Sequence, residues 1–172
     1  MKTYETERLI LKPTGLDDVK LIVQLLNSET FLKYVGDRNV RTLEDAENYI
    51  KRRCLPQIEK LGYGNFTIIR KFDNKKLGTC GIFVRNEMEN PDIGFAFLPE
   101  FEGKGYAFEA ANFIKNLGFS DFGMKKIGGI TVEYNHRSRK LLEKLGLKFV
   151  KKFFMEGDPE ELMYYEIENA VS

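Results

Sequence analysis

DIGFAFLPEFEGKGYAFEAANFIKNLG, residues 92–118, places an apolar run, two closely spaced glycines and a helix-forming stretch in direct succession. DIGFAFL reads as a strand from Asp92 to Leu98. Ala107, Ala110, Ala111, Ile114 and Leu117 recur at helical spacing after it. Gly103 and Gly105 lie between. Glycine loses more freedom on folding than any residue with a side chain, so two of them there imply that the backbone itself has a task. A strand that turns into a helix leaves the N–H groups of the first turn unbonded, with the helix dipole adding positive potential. An anion fits such a turn, and phosphate is the natural one. Lys104 either adds a point charge or points into water. Tyr106 either covers a cofactor or packs in the core. GKGYAF departs from GxGxxG, because Phe108 occupies the last required position, and it is not GxxxxGK[ST]. The segment therefore suits a pyrophosphate without a magnesium motif. The competing reading is a glycine turn that brings the helix close to the sheet.

Downstream, KIGGITV reads as a strand, HRSRKLLEKLG as a helix and LKFVKKFFM as a strand, with LMYYEI closing the chain. Upstream, FTIIR and LGTCGIFV have hairpin spacing across the turn-rich DNKK. RLILKP is a short strand ended by Pro13. GLDDVKLIVQLLN is a helix with a buried stripe at Leu16, Val19, Ile22, Val23 and Leu26 and with Asp17 and Asp18 at its start. A second helix begins near Thr42, which forms a capping pair with Asp45; Ala46, Tyr49 and Ile50 share a face before Pro56 disrupts the pattern. This order predicts an α/β (or α+β) layer around a mixed sheet, in one domain spanning residues 1–172, and leaves strand order open.

The 172 residues are 42% hydrophobic, enough for one substantial core, and 27 basic against 26 acidic side chains leave a net charge of +1. That balance supplies no general attraction to nucleic acid or to an anionic membrane, and neither partner is expected. No apolar run is long enough to span a bilayer, and MKTYETERLILKP lacks a secretory pattern, so a cytoplasmic protein is expected. Cys54, Cys80 and one histidine cannot build a Cys/His metal cluster; two unpaired core thiols and no metal are expected, with a Cys54–Cys80 disulfide as the alternative. His136 reads as an exposed residue at a helix start.

The second informative stretch is TVEYNHRSRKLLEKLG, residues 131–146. Asn135 and Ser138 lie three apart at a helix start, while Leu141, Leu142 and Leu145 supply the buried stripe. Either polar residue also serves as a simple cap.

Taken in order, PEFEGKGYAFEA and EYNHRSRKLLEKLG resemble the GNAT superfamily of acyltransferases, in particular its RimJ/RimL-like N-acetyltransferase branch. TERLILKP, AENYIKR, GTCGIF, DIGFAFLPE and YYEI extend the resemblance over nearly the whole chain. It implies a mixed, splayed sheet flanked by helices, with acetyl-CoA as cosubstrate in the opening. Backbone groups of Gly103, Lys104, Gly105, Tyr106 and Ala107 are expected at the pyrophosphate, those of Phe97 and Leu98 on the pantetheine arm, and Asn135 near its amide or sulfur. Members usually carry Gln or Arg where this chain has Glu102, and a thiolate-protonating Tyr where it has Leu142. The first departure argues against a side-chain phosphate contact at position 102 and leaves the backbone contacts; the second leaves Ser138 or an ordered water as the proton donor.

Acetyl transfer to an amine needs a neutral nitrogen beside the thioester, a stabilised oxyanion and an acceptor for the proton. Asp92 is the leading base, with Glu87, Glu89 and water as alternatives. A backbone N–H near Phe97 or Leu98 is the candidate for polarising the carbonyl, and Tyr134 is a further hydroxyl. The basic segment HRSRKLLEKLGLKFVKK suits the adenosine-side phosphate of coenzyme A, and EGDPEE is acidic, although both also read as solvated faces. The expected activity is acetyl-CoA-dependent N-acetylation of a primary amine: a protein or peptide N-terminus, a polyamine, or an amine-bearing metabolite or antibiotic. A binding-only regulatory protein is the alternative, and the expected assembly is a monomer or homodimer.

Overall fold

The computed structural model describes residues 2–171. Apolar residues run through the central strands, and one sheet of eight strands among the described residues collects them. These are β1 (Tyr4–Glu5), β2 (Leu9–Pro13), β3 (Asn65–Arg70), β4 (Lys76–Phe83), β5 (Asp92–Phe97), β6 (Lys126–Val132), β7 (Lys148–Phe153) and β8 (Leu162–Glu168), in the spatial order β1-β2-β3-β4-β5-β6-β8-β7. Neighbours are antiparallel except β5 and β6. That parallel join has a single register pair, Asp92 with Gly128, fastened by the Gly128 N–H donating to Pro91 O at 2.8 Å. Beyond it the strands part, so the mixed sheet is splayed.

Among the described residues six α-helices flank the sheet: α1 (Val19–Leu26), α2 (Glu29–Tyr34), α3 (Leu43–Arg53), α4 (Leu55–Leu61), α5 (Tyr106–Ser120) and α6 (His136–Lys144). The apolar stripe of α5 buries Ala110, Ala111 and Ile114 against the sheet. Gly118 lets this helix come close, because a Cβ there would meet Ile82 Cδ1 at 2.9 Å and Ile127 Cδ1 at 3.1 Å. Ile114, Ile82 and Ile127, all buried, each contribute about 1.5–3 kcal/mol by leaving water. A smaller cluster of Ile22, Leu26, Val40, Ala46, Ile50 and Cys54 joins α1 to α3. Among the described residues no helix is long and apolar enough to cross a membrane.

Several local expectations change. Leu16 sits in a 3₁₀ turn preceding α1 and is 45% exposed, outside the buried stripe. Pro56 opens α4 from its first turn, where a missing N–H costs nothing. Thr42 and Asp45 form the reciprocal cap that their spacing predicts. Cys54 and Cys80 are buried free thiols, and burial pushes the Cys54 thiol up to about 11.

Candidate active site

The gap between β5 and β6 has a closed vertex and an open mouth. Leu98 donates its N–H to Leu77 O at 2.9 Å, so the alternation of strand backbone turns the amides of Phe95 and Phe97 away from β4, toward the gap. The Leu98 N–H is thus already used by the sheet. Phe97 carries the free edge that the sequence assigned to both residues.

At the mouth, Pro99–Phe101 make one 3₁₀ turn and the glycine segment follows. Gly103 and Gly105 adopt φ of +73° and +82°, a region in which side chains are strained. The first helical bond of α5 runs from Glu109 N–H to Gly105 O, which leaves the N–H groups of Tyr106, Ala107 and Phe108 ahead of it. Lys104 is exposed. Its carbonyl accepts from Arg8 Nη1 at 3.2 Å. The Tyr106 ring is buried under the Arg8 guanidinium, 4.4 Å from its centroid, and its hydroxyl accepts from Arg70 Nη1 at 3.3 Å. Tyr106 therefore packs in the core, and its N–H is what it offers the loop.

Arg8 also fastens the first turn of α5, donating from Nε to Glu109 Oε1 at 2.7 Å, while Thr6 Oγ1 donates to Oε2 at 2.6 Å. Burial works to raise the Glu109 carboxyl, and the bonds from Thr6 and Arg8 outweigh it and hold the group below its ordinary value. Sequence reasoning missed Arg8 and Arg70. Glu109 lies 101 residues from Arg8 and Tyr106 lies 36 from Arg70, and nothing in RLILKP or FTIIR marks those pairings.

Asp92 lies at the vertex, 1% exposed. Register puts it on one sheet face with Gly94 and Ala96 of β5 and Gly128 of β6. Tyr164 of β8 shares that face and lies over Gly128, where a Cβ would meet its ring at 2.6 Å. Arg85 donates from Nε to Asp92 Oδ1 at 2.7 Å. Burial raises the Asp92 carboxyl above the usual range, and the Arg85 charge only partly offsets that. Tyr164 donates its hydroxyl to Glu166 Oε2 at 2.8 Å, and burial is the chief cause that pushes it up to about 12. The alternation of Tyr164 and Glu166 within LMYYEI was the available signal for this cluster. Glu87 and Glu89 are exposed in the loop between β4 and β5.

On the other wall, Asn135 caps α6, its Oδ1 accepting from the Ser138 N–H at 3.2 Å. Among the described residues no protein partner takes the Ser138 hydroxyl. Leu142 is 1% exposed and packs onto β6, its Cδ2 2.6 Å from where a Cβ of Gly129 would stand. Ser138 lies one helical turn, about 6 Å, nearer the mouth. Gly129 alternates with Gly128, so α6 packs on the sheet face opposite the Asp92 side chain, with Asn135 at its start beyond the end of β6. Glu29, Lys33 and Tyr34 of α2 meet Glu102, Asn135 and Arg137 there around a cleft of about 260 Å³. Tyr134, beside Asn135, donates to Glu160 with both carboxylate oxygens within 2.9 Å, and its ring lies 5.7 Å from that of Tyr34.

A splayed parallel pair that opens onto a glycine turn and a helix start is matched by a family model as well as by geometry. Residues 8–148 match the acetyltransferase (GNAT) domain. The chain belongs to the GNAT acetyltransferase family. A relative in Bacillus subtilis (strain 168), the uncharacterized N-acetyltransferase YoaA, is 27% identical over 95% of this chain and 94% of its own. The FsC-acetyl coenzyme A-N(2)-transacetylase of Aspergillus fumigatus is 33% identical over 91% of this chain and 69% of its own. The solved GNAT-family acetyltransferase of Bacillus anthracis shares the fold, with a TM-score of 0.80 at 23% identity, covering 97% of this chain and 98% of that one. This GNAT protein is an acetyltransferase acting on nitrogen, and GNAT acetyltransferases use acetyl-CoA. The backbone amides at the start of α5, from Tyr106 to Phe108, and the free edge of Phe97 suit an anionic, extended cosubstrate of that kind.

Proposed function

We propose that this acetyltransferase moves the acetyl group of acetyl-CoA directly to a primary amine, with Asp92 accepting the amine's proton and the Ser138 hydroxyl meeting the departing sulfur. The observation that carries this reading is the parting of β5 and β6, with an anion cradle at the mouth and a buried carboxylate at the vertex. From Phe97 to Asp92 the strand runs about 16 Å, the scale of an extended pantetheine arm. The diphosphate then lies on the amides of residues 103–107, the arm pairs with the Phe97 edge, and the Asn135 side chain serves an amide of the arm.

In the reaction the amine nitrogen attacks the thioester carbonyl, the C–S bond breaks, and the amine's proton passes to Asp92. The thiolate is neutralised by a proton delivered through Ser138 from solvent. An amide N–H of β5 facing the gap stabilises the developing oxyanion. The raised carboxyl of Asp92 makes it a stronger base than an exposed aspartate, and that is the direction catalysis requires.

For the acceptor we favour a protein or peptide N-terminus, in line with the RimJ/RimL-like order of motifs. The Tyr34 and Tyr134 rings and the Glu160 carboxylate beside the mouth support a cationic, extended chain. A panel of peptides with free N-termini, polyamines and small amines, read by acetylated-product mass, tests the assignment. Acetylation of peptides is expected; product from small amines alone overturns it.

A further inference from the structure

Glu102 immediately precedes the loop whose amides gather at the mouth, and its side chain is only 19% exposed. A bare carboxylate in that place repels any diphosphate that approaches the amides. Its charge is met from the opposite wall. Arg137, in the first turn of α6, donates from Nη1 to Glu102 Oε2, so the pair spans the mouth from the phosphate loop to α6. Both residues line the same cleft as Asn135. The Arg137 side chain is 68% exposed, so a pair of this kind adds little to fold stability and its residues are free to serve a ligand. The guanidinium has five N–H donors in a planar fork, and the structure engages one nitrogen, leaving donors for a second anion.

Resting on the acetyl-CoA reading above, we infer that Arg137 is a cofactor-binding residue that takes an oxygen of the incoming diphosphate while it neutralises the Glu102 carboxylate beside the loop. The carboxylate and the guanidinium cancel while the site is empty. When the diphosphate arrives, Arg137 bridges it to Glu102, and the anion meets a net attractive wall instead of a bare carboxylate. Loss of Arg137 then does two kinds of harm: a donor disappears and Glu102 is left unpaired. Loss of the Glu102 charge does little, because the guanidinium remains.

The test is a double-variant cycle on the full chain, with acetyl-CoA affinity measured by isothermal titration and thermal midpoints on the same preparations. R137A is expected to weaken acetyl-CoA binding about tenfold or more and E102Q to change it by less than about threefold. The double variant E102Q/R137A should recover at least about threefold of the R137A loss. S-Acetylpantetheine, which lacks the diphosphate, should be used equally well by the wild type and R137A. Unchanged acetyl-CoA affinity in R137A, or a double variant no better than R137A, overturns the inference. So does an equal R137A defect with S-acetylpantetheine. A wild type that fails to bind acetyl-CoA overturns the underlying functional reading instead.

Discussion

Asp92 and Arg85 form an ion pair where the two central strands part, Nε to Oδ1 at 2.7 Å, with Asp92 wholly buried and Arg85 partly in water. The pair leaves the carboxylate ionisable but still raised, since burial outweighs the guanidinium. Replacing Asp92 by Asn is expected to slow kcat/KM about 100- to 10,000-fold while leaving acetyl-CoA affinity within about threefold. The variant R85M removes the opposing charge, so the acid limb of the pH–rate profile should move to higher pH. An acid limb unmoved in R85M separates Asp92 from the titration that governs the rate.

The same shift has a stability consequence. The native state binds the Asp92 proton more tightly than the unfolded chain, whose value is about 3.8. Stability from this group is therefore full below that value and is lost as pH rises through the raised native one. D92N should abolish that portion of the slope in thermal midpoints above pH 4.

Glu109 works in the opposite sense. Thr6 and Arg8 hold its carboxyl below the ordinary 4.5, so its contribution is present above that value and disappears as pH falls through the lowered one. R8M should flatten this acid loss and, by freeing the Lys104 carbonyl, raise the KM for acetyl-CoA about three- to tenfold. An unchanged KM would mean that the loop keeps its shape without Arg8.

Gly105→Asp puts a side chain at φ +82° with its Cβ 3.3 Å from Arg8 Nη2, and adds a carboxylate to the loop proposed to take the diphosphate. Acetyl-CoA affinity should fall at least about tenfold. Gly103→Ala is the milder control, because open space surrounds its Cβ and only the backbone strain of about 1–2 kcal/mol is imposed. Equal affinity in folded G105D and wild type would move the diphosphate off this loop.

Ser138→Ala removes a hydroxyl without touching the cap, since Asn135 accepts from the Ser138 backbone N–H. Thermal stability and acetyl-CoA affinity should hold while kcat falls on the order of tenfold, a modest loss because a thiolate leaves readily. Reduced stability with unchanged turnover would assign Ser138 a structural role alone.

How far the sequence carried follows from where each signal lives. The strand, glycine turn and helix of residues 92–118 were legible because period, punctuation and φ requirements are local. So was the Thr42–Asp45 cap. β1 and α2 were not read: two residues make no pattern, and the six of α2 bury none, so no apolar stripe announces them. Leu16 fits the helical stripe by spacing, yet the chain is still in a 3₁₀ turn there, which rotates it into water. Asp92 and Asn135 were named from their places at a strand start and a helix start, which are local features, whereas Arg85, Tyr164, Arg8 and Arg137 pair across the fold. Glu102, read as a departure beside the phosphate loop, finds its partner 35 residues away.

The most direct test of the account is a single-turnover experiment, in which acetyl-CoA bound to the enzyme is mixed with a peptide bearing a free N-terminus. Peptide mass and released coenzyme A thiol are followed together, in wild type and D92N. One acetyl group on the peptide nitrogen is expected for each thiol released, formed about 100-fold or more slowly in D92N. Saturable acetyl-CoA binding with no acetylated amine from peptides, polyamines or small amines would contradict it, as would equal rates in the two proteins.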